Sequence, residues 1–78
     1  MEKVKIEVGA NTGRDTKLLA SDGSIVYAFE PTHELLFHHL YPLSRENPNI
    51  RVLPFAVDTE TTFKNFNISV LRIVTGKQ

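Results

Sequence analysis

The segment VKIEVGANTG, residues 4–13, joins a short apolar-rich run to a turn that contains two glycines. The run Val4–Val8 is typical of a β-strand, and the glycines let the backbone turn tightly and let a ligand approach the main chain. Residues 16–20 follow with helical character. A strand, a glycine turn and a helix in this order predict the start of a nucleotide-binding α/β fold.

The rest of the chain continues the alternation of strand and helix. Residues 25–29 are β-branched and aromatic, which predicts a buried strand, and residues 50–57 predict a third. Between them, Thr32 can cap a helix that should kink or end near Tyr41, because Pro42 lacks an amide hydrogen. The pattern β-α-β-α-β predicts a parallel sheet and an α/β, Rossmann-like half-domain.

A final extended segment is predicted at about residues 61–74. Only about four residues separate it from the third strand, and a parallel crossover needs a dozen or more. We therefore expect a C-terminal antiparallel β-strand that pairs with the third strand. This arrangement would leave Val4–Val8 as an open sheet edge, at which we expect a homodimer to form by strand pairing or by exchange of the C-terminal segment.

Composition narrows the class of protein. The chain has 78 residues, no cysteine, and nine basic against nine acidic residues. A net charge of zero does not favour nucleic acid as a partner, and no apolar run has the length of a signal peptide or a membrane span. We expect one small cytoplasmic domain that does not associate with membranes. Its stability should be marginal unless it associates, because it lacks a disulfide.

The glycine turn does not match the common phosphate-binding motifs. A dinucleotide fingerprint needs glycine at position 11, where this chain has Asn11, and no phosphate-loop lysine motif is present. Glu7 would also oppose a pyrophosphate, by about 4 kcal/mol at a separation of about 4 Å in a medium of effective dielectric near 20. The same carboxylate would attract an ammonium group. These features disfavour an NAD-dependent oxidoreductase and favour a nucleoside that carries a positively charged amino-acid arm.

Glu30 is the second candidate binding residue. It follows the predicted second strand, whose end lies beside the sugar of a bound nucleotide in this class of fold. A carboxylate there can accept hydrogen bonds from both ribose hydroxyls. Either glutamate alone would suggest a solvated charge, but the two together, with the glycine turn between them, indicate a ligand site.

Three segments resemble the opening part of the FkbM family of S-adenosylmethionine-dependent methyltransferases: VGANTG, VYAFEP and NIRVLPFAV, at residues 8–13, 26–31 and 49–57. The resemblance covers roughly residues 4–68 and implies a class I methyltransferase fold, O-methyl transfer, and S-adenosylmethionine or S-adenosylhomocysteine as ligand. It implies that Glu30 holds the ribose, that Pro31 shapes the loop beside the adenosine, and that Asp58 accepts a hydrogen bond from the adenine amine. Asp58 is equally well explained as a turn former. The residues implied on the methionine side are Glu7, Gly9, Ala10, Asn11 and Gly13.

The length of the chain limits what the resemblance implies. Complete class I methyltransferases are much longer, and their later strands supply the acceptor pocket, so we expect a truncated cofactor-binding half without an identified catalytic residue. The alternative is a non-catalytic half-fold that acts as a homo-oligomeric interaction module. The remaining candidates have ordinary explanations: the three histidines do not have the spacing of a metal site, and the strand aromatics, Phe55 among them, are expected in a core or an interface.

Overall fold

The computed structural model describes residues 3–57 and 71–75, and the statements below concern those residues. The described chain alternates strands and helices as the sequence predicts. In chain order the elements are β1 (Val4–Val8), α1 (Arg14–Ala20), β2 (Ile25–Phe29), α2 (His33–Leu35), a π-helical segment (Leu36–Leu40), α3 (Tyr41–Glu46), β3 (Ile50–Leu53) and β4 (Leu71–Thr75).

The strands form one parallel sheet in the order β3-β2-β1-β4. Val8 at the end of β1 is in register with Phe29 at the end of β2, which in turn is in register with Leu53 at the end of β3. The carboxyl ends of the strands therefore meet along a single edge of the sheet. In open parallel sheets this edge is where ligands bind.

The predicted antiparallel C-terminal strand is wrong. β4 runs parallel to β1, with Val4 opposite Leu71 and Val8 opposite Thr75. The predicted segment began at about residue 61, and its part before Leu71 lies outside the described residues. Because β4 begins only at Leu71, the connection from β3 spans residues 54–70 and exceeds the dozen that a parallel crossover requires.

This topology also changes the predicted sheet edge. β1 lies between β2 and β4, so the prediction of an open edge at Val4–Val8 is wrong for the described sheet, while the homodimer itself stays a prediction. The edges of the described sheet are β3 and β4.

The helices cover one face of the sheet, where they bury two apolar clusters. In the first cluster Ala28 of β2 packs with Leu36 and Leu40 of the π-helical segment and with Ala10. The second contains Ala20 at the end of α1, Val26 and Ile50. Val26 and Ala28 lie two residues apart in β2 and so point to the same face. Among the helices of the described residues, none is long and apolar enough to cross a membrane.

Pro42 changes the helix without ending it. Helical structure continues from His33 to Glu46, but the turn before Pro42 is wider than an α-turn, with the Tyr41 N–H donating to the Leu36 carbonyl five residues back. Proline cannot donate to the carbonyl four residues before it, and its ring crowds that carbonyl. The π-helical turn relieves both problems, so the sequence correctly marked an irregularity near Tyr41 and missed its form.

Gly13 fixes the junction between the glycine turn and the helices. It precedes α1 with a φ of 86°, and a Cβ placed there would lie 2.8 Å from Leu43 Cδ2 and 3.0 Å from Leu40 Cδ2. Any side chain at this position would therefore meet both an unfavourable backbone conformation and a steric clash.

We expect Gly13→Ala to lower the free energy of unfolding by about 2–4 kcal/mol, from about 1–2 kcal/mol of backbone strain plus displaced leucine packing. Gly23→Ala is the matched control, because Gly23 has the same φ of 86° and nothing within 4 Å of its Cβ position. Urea unfolding of both variants separates the two effects. Equal destabilisation would show that the leucine contacts of Gly13 do not matter.

Candidate ligand-binding site at the carboxyl edge of the sheet

The glycine turn folds over the end of β2. The N–H groups of Gly9 and Ala10 both donate to the Phe29 carbonyl, at 2.9 and 3.0 Å. The register of β1 and β2 brings this about, because Val8 and Phe29 are paired at the ends of the two strands. As a result Glu30, the residue after Phe29, lies beside the turn, as the sequence predicted.

The backbone of the turn is left-handed at three positions. Gly9, Asn11 and Gly13 have φ angles of 78°, 56° and 86°. The Gly13 N–H closes the turn on the Ala10 carbonyl at 3.0 Å. Asn11 is the only non-glycine residue with positive φ in the described chain, and asparagine tolerates this conformation better than most residues. The asparagine that breaks the dinucleotide fingerprint therefore still provides a left-handed turn.

Glu30 joins the two loops that follow β1 and β2. One carboxylate oxygen accepts the Asn11 N–H at 2.8 Å, and the other accepts the Thr32 N–H at 3.1 Å. The side chain has no solvent-exposed surface. Hydrogen bonds from backbone amides to a carboxylate are stronger than those between neutral groups, so Glu30 stabilises the glycine turn and the entry to α2 together.

Glu7 is buried beneath α1 instead of facing the turn directly. Its side chain is 1% exposed, and its carboxyl accepts a hydrogen bond from the hydroxyl of Thr16, which is fully buried on α1. Burial raises the pKa of Glu7 from 4.5 to about 7. The Thr16 hydrogen bond opposes this rise in pKa, while the nearby charges of Asp15 and Glu30 add to it.

Two ion pairs between described residues lie away from the candidate site. Both involve Asp22, which binds Lys3 and Lys5 near the opposite end of β1. Residues 3–57 and 71–75 also contain no group of three or more acidic or histidine side chains that could hold a metal ion. The candidate site itself contains two buried carboxyl groups, Glu7 and Glu30.

The remaining predicted residues have different positions. Ala10 is buried, with its side chain in the apolar cluster under the π-helical segment, so it supports the turn by packing. Pro31 is exposed directly after Glu30. Asp58 lies outside the described residues. Thr16 was missed, although a hydroxyl residue in the first turn of the helix after a strand-end glutamate is a signal that sequence reasoning can use.

Comparison of the chain with protein-family models, with curated proteins and with solved structures finds no match in any of the three. The functional argument therefore depends on the geometry of the site and on the motifs that it contains.

The raised pKa of Glu7 predicts a stability that falls with pH. Between pH 4.5 and about 7 the folded chain holds a proton on Glu7 that the unfolded chain has released, so folding is favoured at the acidic end of this window. The loss is at most about 1.4 kcal/mol for each pH unit. Glu7→Gln keeps a polar group opposite Thr16 and should remove this contribution.

Urea unfolding between pH 5 and pH 7.5 measures the effect. Glu34→Gln is the matched control, since Glu34 is an exposed glutamate on α2 and its replacement should leave the pH dependence of wild type in place. Identical pH profiles for wild type and Glu7→Gln would contradict the assignment.

Proposed function

We propose that the chain binds S-adenosylmethionine or S-adenosylhomocysteine at the carboxyl edge of its sheet, as the cofactor-binding part of an FkbM-like methyltransferase. One observation carries the proposal: two buried carboxyl groups lie at the carboxyl ends of adjacent parallel strands, Glu7 in β1 and Glu30 directly after β2, and the left-handed turn after β1 donates an N–H to Glu30. The motif resemblance at residues 8–13 and 26–31 supports the same ligand.

The charge of the site favours a cationic ligand over a phosphate. A pyrophosphate at the glycine turn would lie near two buried acidic side chains, and each of them would repel it when ionised. S-adenosylmethionine instead carries an ammonium and a sulfonium group. Its amino-acid arm would lie over the turn after β1, and its ammonium group would reach the buried Glu7 carboxyl by displacing the protein atoms that cover it.

The ribose belongs at Glu30 in this proposal. A carboxylate has about four lone-pair sites, so the group that accepts the Asn11 and Thr32 N–H groups also has the chemistry to accept ribose hydroxyls. Because Glu30 is fully buried in this structure, the sugar must displace the protein atoms that cover the carboxylate. The backbone bonds to Asn11 and Thr32 hold the carboxylate in place during this exchange.

Isothermal titration calorimetry with S-adenosylhomocysteine tests the proposal directly. We expect saturable binding to wild type and no comparable signal with NAD. Glu30→Gln should weaken binding by about 1.5–3 kcal/mol, the usual contribution of a hydrogen bond to a charged group. Glu34→Gln should bind as wild type does, and circular dichroism checks that each variant is folded. Absence of binding to wild type at millimolar S-adenosylhomocysteine would refute the proposal.

Binding should also release a proton near neutral pH. Glu7, with a pKa of about 7, is partly protonated there, and the ligand's ammonium group would favour the ionised form. The observed heat should then depend on the ionisation enthalpy of the buffer. Adenosine, which lacks the amino-acid arm, should show no such dependence, and Glu7→Gln should abolish it for S-adenosylhomocysteine. Heats that do not depend on the buffer for wild type would argue against a role of Glu7 in recognising the arm.

A further inference from the structure

Asp22 and Gly23 lie in the exposed turn between α1 and β2, at the end of the sheet away from the glycine turn. Asp22 is the only aspartate or asparagine of the chain that precedes a glycine. A glycine in this position has no side chain to hinder attack of its backbone nitrogen on the preceding carboxyl group. The side chain of Asp22 is 41% exposed, so water can reach it.

The reaction open to this pair converts aspartate into isoaspartate without an enzyme. The Gly23 nitrogen attacks Cγ of Asp22, an N–Cγ bond forms, and the hydroxyl of the protonated carboxyl leaves as water together with the amide hydrogen. The product is a cyclic imide with two carbonyl groups. Water that adds at the backbone carbonyl breaks its C–N bond and routes the main chain through Cβ and Cγ, which gives isoaspartate. Addition at the side-chain carbonyl restores aspartate.

Three hydrogen bonds restrain the Asp22 carboxylate in the folded chain. One oxygen accepts the Ser24 N–H at 3.0 Å and the Ser24 hydroxyl at 2.6 Å, and the other accepts the Lys5 ammonium group at 3.1 Å. The bonds from Ser24, with a smaller contribution from Lys5, hold the pKa of Asp22 well below its usual range. The ionised carboxyl lacks the hydroxyl that the reaction expels, so it is a poor target for attack.

The Gly23 nitrogen is restrained as well. Its N–H donates to the Ala20 carbonyl at 3.0 Å, and the backbone of Gly23 has a φ of 86°. The turn is also fixed from outside, because the buried Ser24 accepts the Asn49 side-chain amide on its carbonyl at 2.8 Å. Attack therefore requires the nitrogen to leave Ala20 and the Asp22 carboxyl to leave Ser24, which the folded turn opposes at both atoms.

We propose that Asp22–Gly23 is a site of spontaneous isoaspartate formation that the fold suppresses, and that Ser24 and Lys5 are the residues that suppress it. The pair reacts when this turn opens, so its covalent state records how long the turn has been open. Isoaspartate lengthens the turn by one backbone carbon and moves the carboxylate that Lys3 and Lys5 bind. The inference does not depend on the proposed ligand, which would bind at the other end of β1.

Incubation of the purified chain at neutral pH, followed by peptide mapping, measures the reaction. The two isomers have equal mass, and electron-transfer fragmentation distinguishes them. The rate is measured in native buffer and in guanidinium chloride above the unfolding transition, and the ratio of the two rates removes the effect of the local sequence. We expect unfolded wild type to form isoaspartate at least about tenfold faster than folded wild type, since even one hydrogen bond to a charged group has about this effect.

Two variants test the residues that restrain the carboxylate. Ser24→Ala removes the hydroxyl donor and Lys5→Met removes the ammonium donor, and each should raise the rate of the folded chain by about fivefold or more while leaving the unfolded rate unchanged. Ser21→Ala is the matched control, because the Ser21 hydroxyl lies in the same turn and donates to the Leu18 carbonyl at 2.6 Å. Circular dichroism checks that each variant is folded.

The outcomes decide each part of the inference. Equal rates for folded and unfolded wild type, or no isoaspartate in the unfolded chain, would overturn it without any variant. If Ser24→Ala and Lys5→Met both keep the rate ratio of wild type, the suppression does not come from these residues. If Ser21→Ala accelerates the reaction as much as Ser24→Ala does, general loosening of the turn controls the rate, and the inference is wrong. If one variant does not fold, the other decides the role of the carboxylate bonds.

Discussion

The carboxylate of Glu30 is the interaction on which the arrangement of the carboxyl edge depends. Its two oxygens accept the N–H groups of Asn11 and Thr32, which belong to the loops after β1 and β2. A parallel sheet leaves these loops without ladder partners, and buried amides that lack an acceptor are costly. One buried side chain therefore accepts a backbone N–H from each loop, and in this way it fixes the distance between the glycine turn and the start of the helical layer.

The packing of the helices reinforces the same arrangement. The glycine turn is pressed against Leu40 and Leu43, which leaves no room for a side chain at Gly13. The wider helical turn before Pro42 lies in the same stretch and places Leu36 and Leu40 in the buried cluster with Ala10. The conformation of the turn and the position of the helices therefore depend on each other. The left-handed backbone lets the helices approach the turn, and Leu40 and Leu43 leave room only for glycine at position 13.

Much of this could be predicted from sequence, because the signals are local. The bounds of β1 and β2 follow from short apolar runs that end at a glycine and at a glutamate, and parallel pairing follows from the helix between them. The direction of β4 could not be predicted from local signals. It depends on where the strand begins, and the sequence marks that position only weakly. The π-helical turn and the partnership of Glu7 with Thr16 were missed because both depend on how separate elements pack together.

The two glutamates are chemically similar, but their hydrogen-bond donors give them different roles. The backbone amides that reach Glu30 can only donate, so both of its oxygens must act as acceptors, which suits an ionised carboxylate. The Thr16 hydroxyl that reaches Glu7 can donate or accept, so this contact tolerates either protonation state. Burial then raises the pKa of Glu7 to about 7. Glu30 thus acts as a fixed hydrogen-bond acceptor, whereas Glu7 can gain or lose a proton near neutral pH. A cationic ligand would therefore meet a fully ionised Glu7 only as it binds.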